Sequence, residues 1–201
     1  MKTKDVVRIA LLSIVGFGLS LVGSLATPLL GNYSFPGEVA FGAFLGGAVY
    51  YVLTQKVPRR GTSFAYFTIM GSLYLIMGFW TMAIILAIAG FLGELCLIPV
   101  GAYKNRWRIT GAYVLSNVVY ALHPVFIFYI IGVDRLLLMF PNAYTVDGAH
   151  TLQHMLYSPL AIISIIGICL ICAFFGMAIG HSVYEKFFHG GESVKREPIL
   201  K

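Results

Sequence analysis

Charge is scarce in this sequence. Fourteen lysines and arginines and eight acids make up 11% of its 201 residues, against 59% hydrophobic residues. A soluble domain carries about 25% charged residues, so this chain lacks the polar groups to clothe a water-facing surface. The mean hydropathy of +0.86 points the same way. Several chemical signatures are also missing. There is no G-x-x-x-x-G-K-[ST] loop, so the chain has no usual cradle for ATP phosphates. H-E-x-x-H, G-x-S-x-G and a paired set of carboxylates within an apolar run are absent too, which removes the common routes to hydrolysis and proton relay. The three cysteines, Cys96, Cys169 and Cys172, lie inside apolar runs. They read as small buried hydrophobes, and the Cys169-x-x-Cys172 pair has neither a second pair nor a histidine to complete a metal site.

What remains is apolar sequence in long runs. Between Val6 and Leu30 the only charge is Arg8, and the stretch from Ile9 onward is long enough to cross a hydrocarbon core of about 30 Å. Lys2, Lys4 and Arg8 ahead of an apolar run, with Ser24-Leu25-Ala26 behind it, also sketch a signal peptide. The run exceeds the usual signal core of about 7–15 residues, which favours a membrane helix. Further spans are predicted near 38–54, 64–80, 81–103, 109–132 and 159–184. Residues 64–102 carry one charge, Glu94, and are read as two helices turning at Gly78-Phe79-Trp80, or else as one helix with a re-entrant piece. The expected fold is thus all-α and integral to the membrane. It comprises one domain of six transmembrane helices over 1–188 and a polar tail over 189–201.

That topology separates the charges. The termini and the turns 55–62 and 104–108 share one side; 31–37, 78–82 and 133–158 share the other. Lys2, Lys4, Arg8, Lys56, Arg59, Arg60, Lys104, Arg106, Arg108, Lys186, Lys195, Arg196 and Lys201 fall on the first side, and only Arg135 falls opposite. Cytoplasmic loops are rich in Lys and Arg, so both termini are expected in the cytoplasm. The stretch TQKVPRRGT becomes a cytoplasmic turn held among anionic lipid headgroups, with Pro58 and Gly61 stopping the helices. Membrane lipid is therefore a partner. Nucleic acid is not, because the cations are scattered over short pieces without exposed aromatics between them.

A few residues within the spans ask for an explanation. Glu94 is a lone carboxylate costing a few kcal/mol at membrane depth, so it needs a partner; hydrogen bonding between helices or at a subunit contact is the expectation ahead of substrate handling. Ala10, Ser13, Gly16 and Ser20 recur every three or four residues, giving the first helix a narrow face. That face suits packing within the bundle or docking of another membrane subunit, whereas Gly42-x-x-x-Gly46 and Gly176-x-x-x-Gly180 read as internal packing. On the outer side, Trp80 and Tyr120 are candidates for stacking on a ligand. His123, Tyr144, His150 and His154 are candidates for polar contacts. His123-Pro124 marks a helix break, a feature of substrate cavities and of helix-to-helix hydrogen bonding alike. His150 and His154 share a helix face and suit either a metal-bearing ligand or plain solvation.

In order and content, MKTKD, GGAVYYVLTQKVPRRGT, GFLGELCLIPVGAYKNRWRITGAYVLSN and GMAIGHSVYEKFF resemble the MptD or Trep_Strep group of substrate-binding S components of energy-coupling-factor transporters. The resemblance runs over nearly the whole chain. It implies an S-component bundle in the bacterial cytoplasmic membrane that captures a vitamin or metal-chelate micronutrient outside. It also implies a transmembrane coupling subunit and two cytosolic ATPases as partners, with ATP used by those partners and no cofactor in this chain. Small residues of the first helix contact the coupling subunit in such transporters, which assigns Ala10, Ser13, Gly16 and Ser20 to docking. The Met-His start of the cobalt and nickel type is missing, and the signatures of riboflavin, thiamine and biotin binders are not found. Outer aromatics and histidines favour a planar or metal-chelating ligand such as a haem-like or cobamide-like molecule. A self-sufficient six-helix carrier or channel is the alternative, and it is expected to show intramembrane coupling acids or inverted repeats. An intramembrane enzyme would need a nucleophile with its base or a full metal set.

Overall fold

The computed structural model describes residues 2–27, 34–139 and 145–189. Among these residues every regular element is helical: α1 (Thr3–Ala26), α2 (Ser34–Lys56), α3 (Thr62–Ile76), α4 (Trp80–Leu95), α5 (Arg106–Ala121), α6 (His123–Ile130), α7 (Val133–Met139), α8 (Val146–Leu156) and α9 (Pro159–Tyr184), with a 3₁₀ turn at Ala102–Lys104 and a π turn at Glu185–His189. Apolar runs with no alternation leave no other way to satisfy backbone groups in a hydrocarbon medium.

Local chemistry sets the boundaries. Gly61 precedes α3 with φ 88°, and Gly78 joins α3 to α4 with φ 93°, both left-handed values that a side chain disfavours. The tight turn expected at Gly78 is present, with Phe79 N–H donating to the Tyr74 carbonyl at 2.9 Å. Asn105 caps α5 by accepting from the backbone N–H groups of Trp107 and Arg108, and Thr145 caps α8 by accepting from Gly148.

Among the described residues, three helical stretches are long and apolar enough to cross a membrane: Thr3–Ala26, Gly37–Lys56 and Pro159–Phe188. The pair α5 and α6, bent by 40° at Leu122, makes a fourth when counted as one span. The remaining two predicted spans come out shorter than expected. α3 and α4 have 15 and 16 residues, about 22–24 Å of helix at 1.5 Å per residue. The Gly78 turn takes residues from both, and the chain leaves the helix at Cys96 ahead of Pro99 and the left-handed Gly101 (φ 78°), so the predicted span 81–103 stops at Leu95.

α1, α3, α4, α5, α9 and α2 close into a ring, each packed on the next, and α2 also reaches across to α5. Small residues permit the closest approaches. A methyl group at Gly47 would sit 2.6 Å from the Gly176 backbone, and one at Gly180 would sit 2.7 Å from Tyr51 Cβ, so α2 and α9 meet backbone to backbone. The outward faces are apolar: Leu11, Ile14 and Val22 of α1, Ile84, Ile88 and Phe91 of α4, and Ile163, Ile171 and Phe175 of α9 are all exposed.

Contacts tie the cationic segments to one end of the ring. Arg59 Nε lies 3.4 Å from the buried Asp5 carboxylate, Arg60 Nη2 donates to the Ile98 carbonyl at 2.7 Å, and the Lys56 ammonium lies 4.6 Å from the Phe188 ring centre. The start of α1, the turns 57–61 and 96–105 and the end of α9 therefore share an end. The short helices α7 and α8 follow α6 and precede α9 at the other. Residues 190–201 of the predicted tail lie outside the described residues.

Candidate functional site

At the cation-poor end, α1, α2, α3 and α5 enclose a cluster of aromatic and polar groups. The hydroxyls of Tyr74 and Tyr120 are 2.7 Å apart. Phe17 and Phe79 meet the Tyr74 ring edge-on, with centroids at 5.0 and 6.5 Å. The His123 imidazole stacks on Tyr120 at 5.4 Å, and the part-buried Glu38 carboxylate in the first turns of α2 is close enough to act electrostatically on both tyrosine hydroxyls. Tyr74, Tyr120 and His123 are each less than 9% exposed. Few polar side chains converge in an apolar surround here, the usual composition of a small-molecule site.

His123 has an identifiable local task. Pro124 has no N–H, so the carbonyl four residues earlier, that of Tyr120, loses its helical donor. His123 Nδ1 lies 2.9 Å from that same carbonyl and supplies the missing hydrogen bond. The imidazole therefore mends the α5–α6 break and at the same time stands in the cluster.

The other expected site residues are not gathered here. Trp80 is 45% exposed at the start of α4, and its neighbour Phe79 is the ring that reaches Tyr74. His150 and His154 do lie on one helix, α8, but both are exposed, while Ala149 and Leu156 take the inward face. No group of three or more His, Cys, Asp or Glu residues is gathered for a metal among the described residues. Tyr144 lies outside the described residues. Tyr74 is an addition. The spacing of Tyr66, Met70 and Tyr74 at four-residue intervals marks the inner face of α3 and is the signal that finds it.

The small-residue face of α1 is covered. Ser13, Gly16 and Ser20 are buried, Ala10 partly so. A methyl group at Gly16 would run into the Tyr66 hydroxyl, and Gly42 of α2 approaches Ser20 so closely that a Cβ there would lie 3.2 Å away. In this structure α2 and α3 pack on the face that the resemblance gives to another subunit, because bulkless positions admit close approach of a neighbouring helix.

Glu94 finds its partners within the bundle. One carboxylate oxygen accepts from Gly61 N–H at 2.8 Å. The other accepts from Tyr103 O–H at 2.7 Å and from the N–H groups of Ser63 and Phe64 at 3.1 and 3.3 Å. The end of α4 thus caps the start of α3, with an anion at the positive pole of the helix dipole. Burial, reinforced by Glu94, pushes the Tyr103 hydroxyl above the ordinary phenol range, so it stays a donor.

No curated protein and no solved structure matches the chain significantly. The sequence profile of one family, described as hypothetical bacterial integral membrane protein (Trep_Strep), matches residues 3–189. With nearly the full length covered, in a fold of membrane-length apolar helices, the chain belongs to the Trep_Strep family of bacterial integral membrane proteins.

Proposed function

We propose that the protein is the substrate-binding subunit of an energy-coupling-factor importer, set in the bacterial cytoplasmic membrane with its cation-rich end and both termini in the cytoplasm. The observation that carries this reading is the cluster of buried Tyr74, Tyr120 and His123 with part-buried Glu38 at the cation-poor end. By the positive-inside rule that end faces outward, where a captured micronutrient arrives. Aromatic faces for stacking, two hydroxyls and a carboxylate suit a compact, largely planar vitamin or chelate. The chain itself supplies no ATP cradle, so energy comes from two cytosolic ATPases through a transmembrane coupling subunit. The rival carrier needs intramembrane acids that load and release ions. Glu94, which accepts four hydrogen bonds that hold α3, is poorly suited to that cycle.

Small molecules that copurify with the detergent-solubilised protein, identified by mass spectrometry, provide the test ligand. Its affinity should fall at least about tenfold in Tyr120→Phe or Glu38→Gln, the loss expected when a buried hydrogen bond to ligand is removed. It should hold in the outward-facing pair His150→Ala with His154→Ala. Unchanged affinity in the first two variants removes the cluster from the binding site. Failure to copurify with any coupling subunit from the same cell removes the importer reading.

A further inference from the structure

The cation-rich end holds a second polar recess, independent of what the protein transports. A cavity of about 190 Å³ opens between α2, α5 and α9, lined by Tyr51, Arg106, Trp107, Thr110, His181 and Ser182 among others. Its polar groups converge. The Tyr51 hydroxyl lies 3.0 Å from His181 Nδ1, and the Arg106 guanidinium sits 4.6 Å from the centre of the Trp107 ring. That ring in turn stacks on Phe174, with centroids 6.3 Å apart and planes 19° apart. Tyr51 is buried, so the floor is fixed, while Arg106 and Ser182 are exposed at the mouth. Glu185 also bears on Tyr51; Arg106 and Lys186 outweigh its charge by one.

Two apolar grooves leave this cavity along the outside of the bundle. One, of about 330 Å³, runs between α5 and α9 past Val114, Leu170, Ile171, Phe174 and Phe175. The other, of about 320 Å³, follows α9 past Phe175, Ile179, Val183 and Phe187 and has Lys186 on its wall. The first shares Phe174 with the cavity, and the second shares Ala178 and Ser182. From Ser182 back to Leu170 the helix runs about 18 Å, close to the depth of one leaflet of a roughly 30 Å core.

We infer that this corner is a binding site for an anionic glycerophospholipid of the inner leaflet. Its phosphate is held by Arg106 with the Tyr51–His181 pair and Ser182, and its two acyl chains lie in the two grooves. One anionic head beside two apolar channels, the first reaching leaflet depth at Leu170 and the second running along α9 from Phe175 to Phe187, is the complement of a two-chained phospholipid. A free phosphate would satisfy the cavity alone and leave both grooves unexplained. Arg is suited to phosphate because its fork donates two hydrogen bonds at once.

Trp107 gives the readout. In a Trp80→Phe background its fluorescence is titrated, in detergent, with micelles carrying phosphatidylglycerol, with micelles carrying phosphatidylcholine of the same chains, and with inorganic phosphate. Phosphatidylglycerol should bind at least about fivefold tighter than phosphatidylcholine, the contribution of one basic residue near an anionic headgroup. Arg106→Gln should abolish that preference and Arg106→Lys should restore part of it. Lys186→Gln, in the exposed π turn, should reduce it about twofold or more and carries the test if Arg106→Gln does not fold. Equal binding of the two lipids, or a preference that survives both glutamine variants, overturns the inference. So does saturation by inorganic phosphate at the same concentration as lipid, which would make the recess a site for a soluble anion.

Discussion

Glu94→Ala is expected to loosen the whole cation-rich end, and its cost follows from four contacts. The substitution strips the acceptor from Gly61 N–H, Phe64 N–H and Tyr103 O–H; Ser63 N–H retains a second acceptor in the Tyr103 oxygen at 3.2 Å. Loss of a helix cap costs about 0.5–2 kcal/mol, loss of an anion at a helix N-terminus about 0.3–2 kcal/mol, and loss of a charged acceptor for a buried hydroxyl about 1.5–3 kcal/mol. Because Glu94 is only partly buried and Phe64 is 39% exposed, water replaces some of what is lost. The sum therefore falls near the lower values, about 2–4 kcal/mol. A chain of this size loses about 2–4 °C of melting midpoint per kcal/mol, which predicts a drop on the order of 4–16 °C. Glu94→Gln keeps one carbonyl oxygen but turns an amide NH₂ toward backbone donors, so about half the drop is expected. The assay is thermal unfolding in detergent followed by tryptophan fluorescence. A double-mutant cycle with Tyr103→Phe should show sub-additivity of about 1 kcal/mol, since the two side chains share one hydrogen bond. Midpoints of Glu94→Ala and Glu94→Gln within about 1 °C of the parent, a shift too small for any lost cap, would refute the reasoning and leave Glu94 available for ion or substrate handling.

Three further outcomes test the packing and the orientation. Gly176→Leu drives a side chain into the backbone of Ala43 and Phe44 on α2, and should lower the melting midpoint by the several degrees that about 1–3 kcal/mol of overpacking produces. Gly16→Leu should likewise destabilise the isolated protein by pressing on Tyr66, whereas Leu11→Trp on the exposed face of α1 should leave the midpoint intact and lower the yield of complex with the coupling subunit. The reverse pattern would return docking to the small-residue face. With the three native cysteines replaced, Lys104→Cys, exposed just before the α5 cap, should react with a membrane-impermeant thiol reagent only in inverted vesicles; labelling of intact cells would reverse the proposed orientation.

The demands made by polar groups in this chain are legible in its sequence; the partners that answer them are much less so. Glu94 within an apolar run signals that some donor must meet it, yet the donors come from residues 61–64, across a turn whose geometry depends on left-handed Gly61, and from Tyr103 beyond a helix end that Pro99 and Gly101 set earlier than hydropathy suggests. His123-Pro124 is the exception. The four-residue rule names the Tyr120 carbonyl as the group Pro124 abandons, and the nearest side chain able to serve it is adjacent in sequence. A repair that local can be read without a fold. The Tyr74–Tyr120 pair cannot, since it joins α3 to α5 across 46 positions and appears only when the ring of helices closes.

The face of α1 shows the same limit from the opposite direction. Its spacing says that some helix approaches closely but is silent about which one, because a surface of glycine and serine carries no shape to select a partner. The decision lies in the neighbours: Tyr66 projects from α3 into the space Gly16 leaves, and Gly42 of α2 settles on Ser20. Both are themselves spaced to face inward, Tyr66 with Met70 and Tyr74, Gly42 with Gly46. A small-residue stripe can therefore be assigned only together with the large residue that fills it. Here that residue is in the same chain, while the other side of α1 exposes Leu11, Ile14 and Val22, apolar groups that require cover from lipid or from another protein.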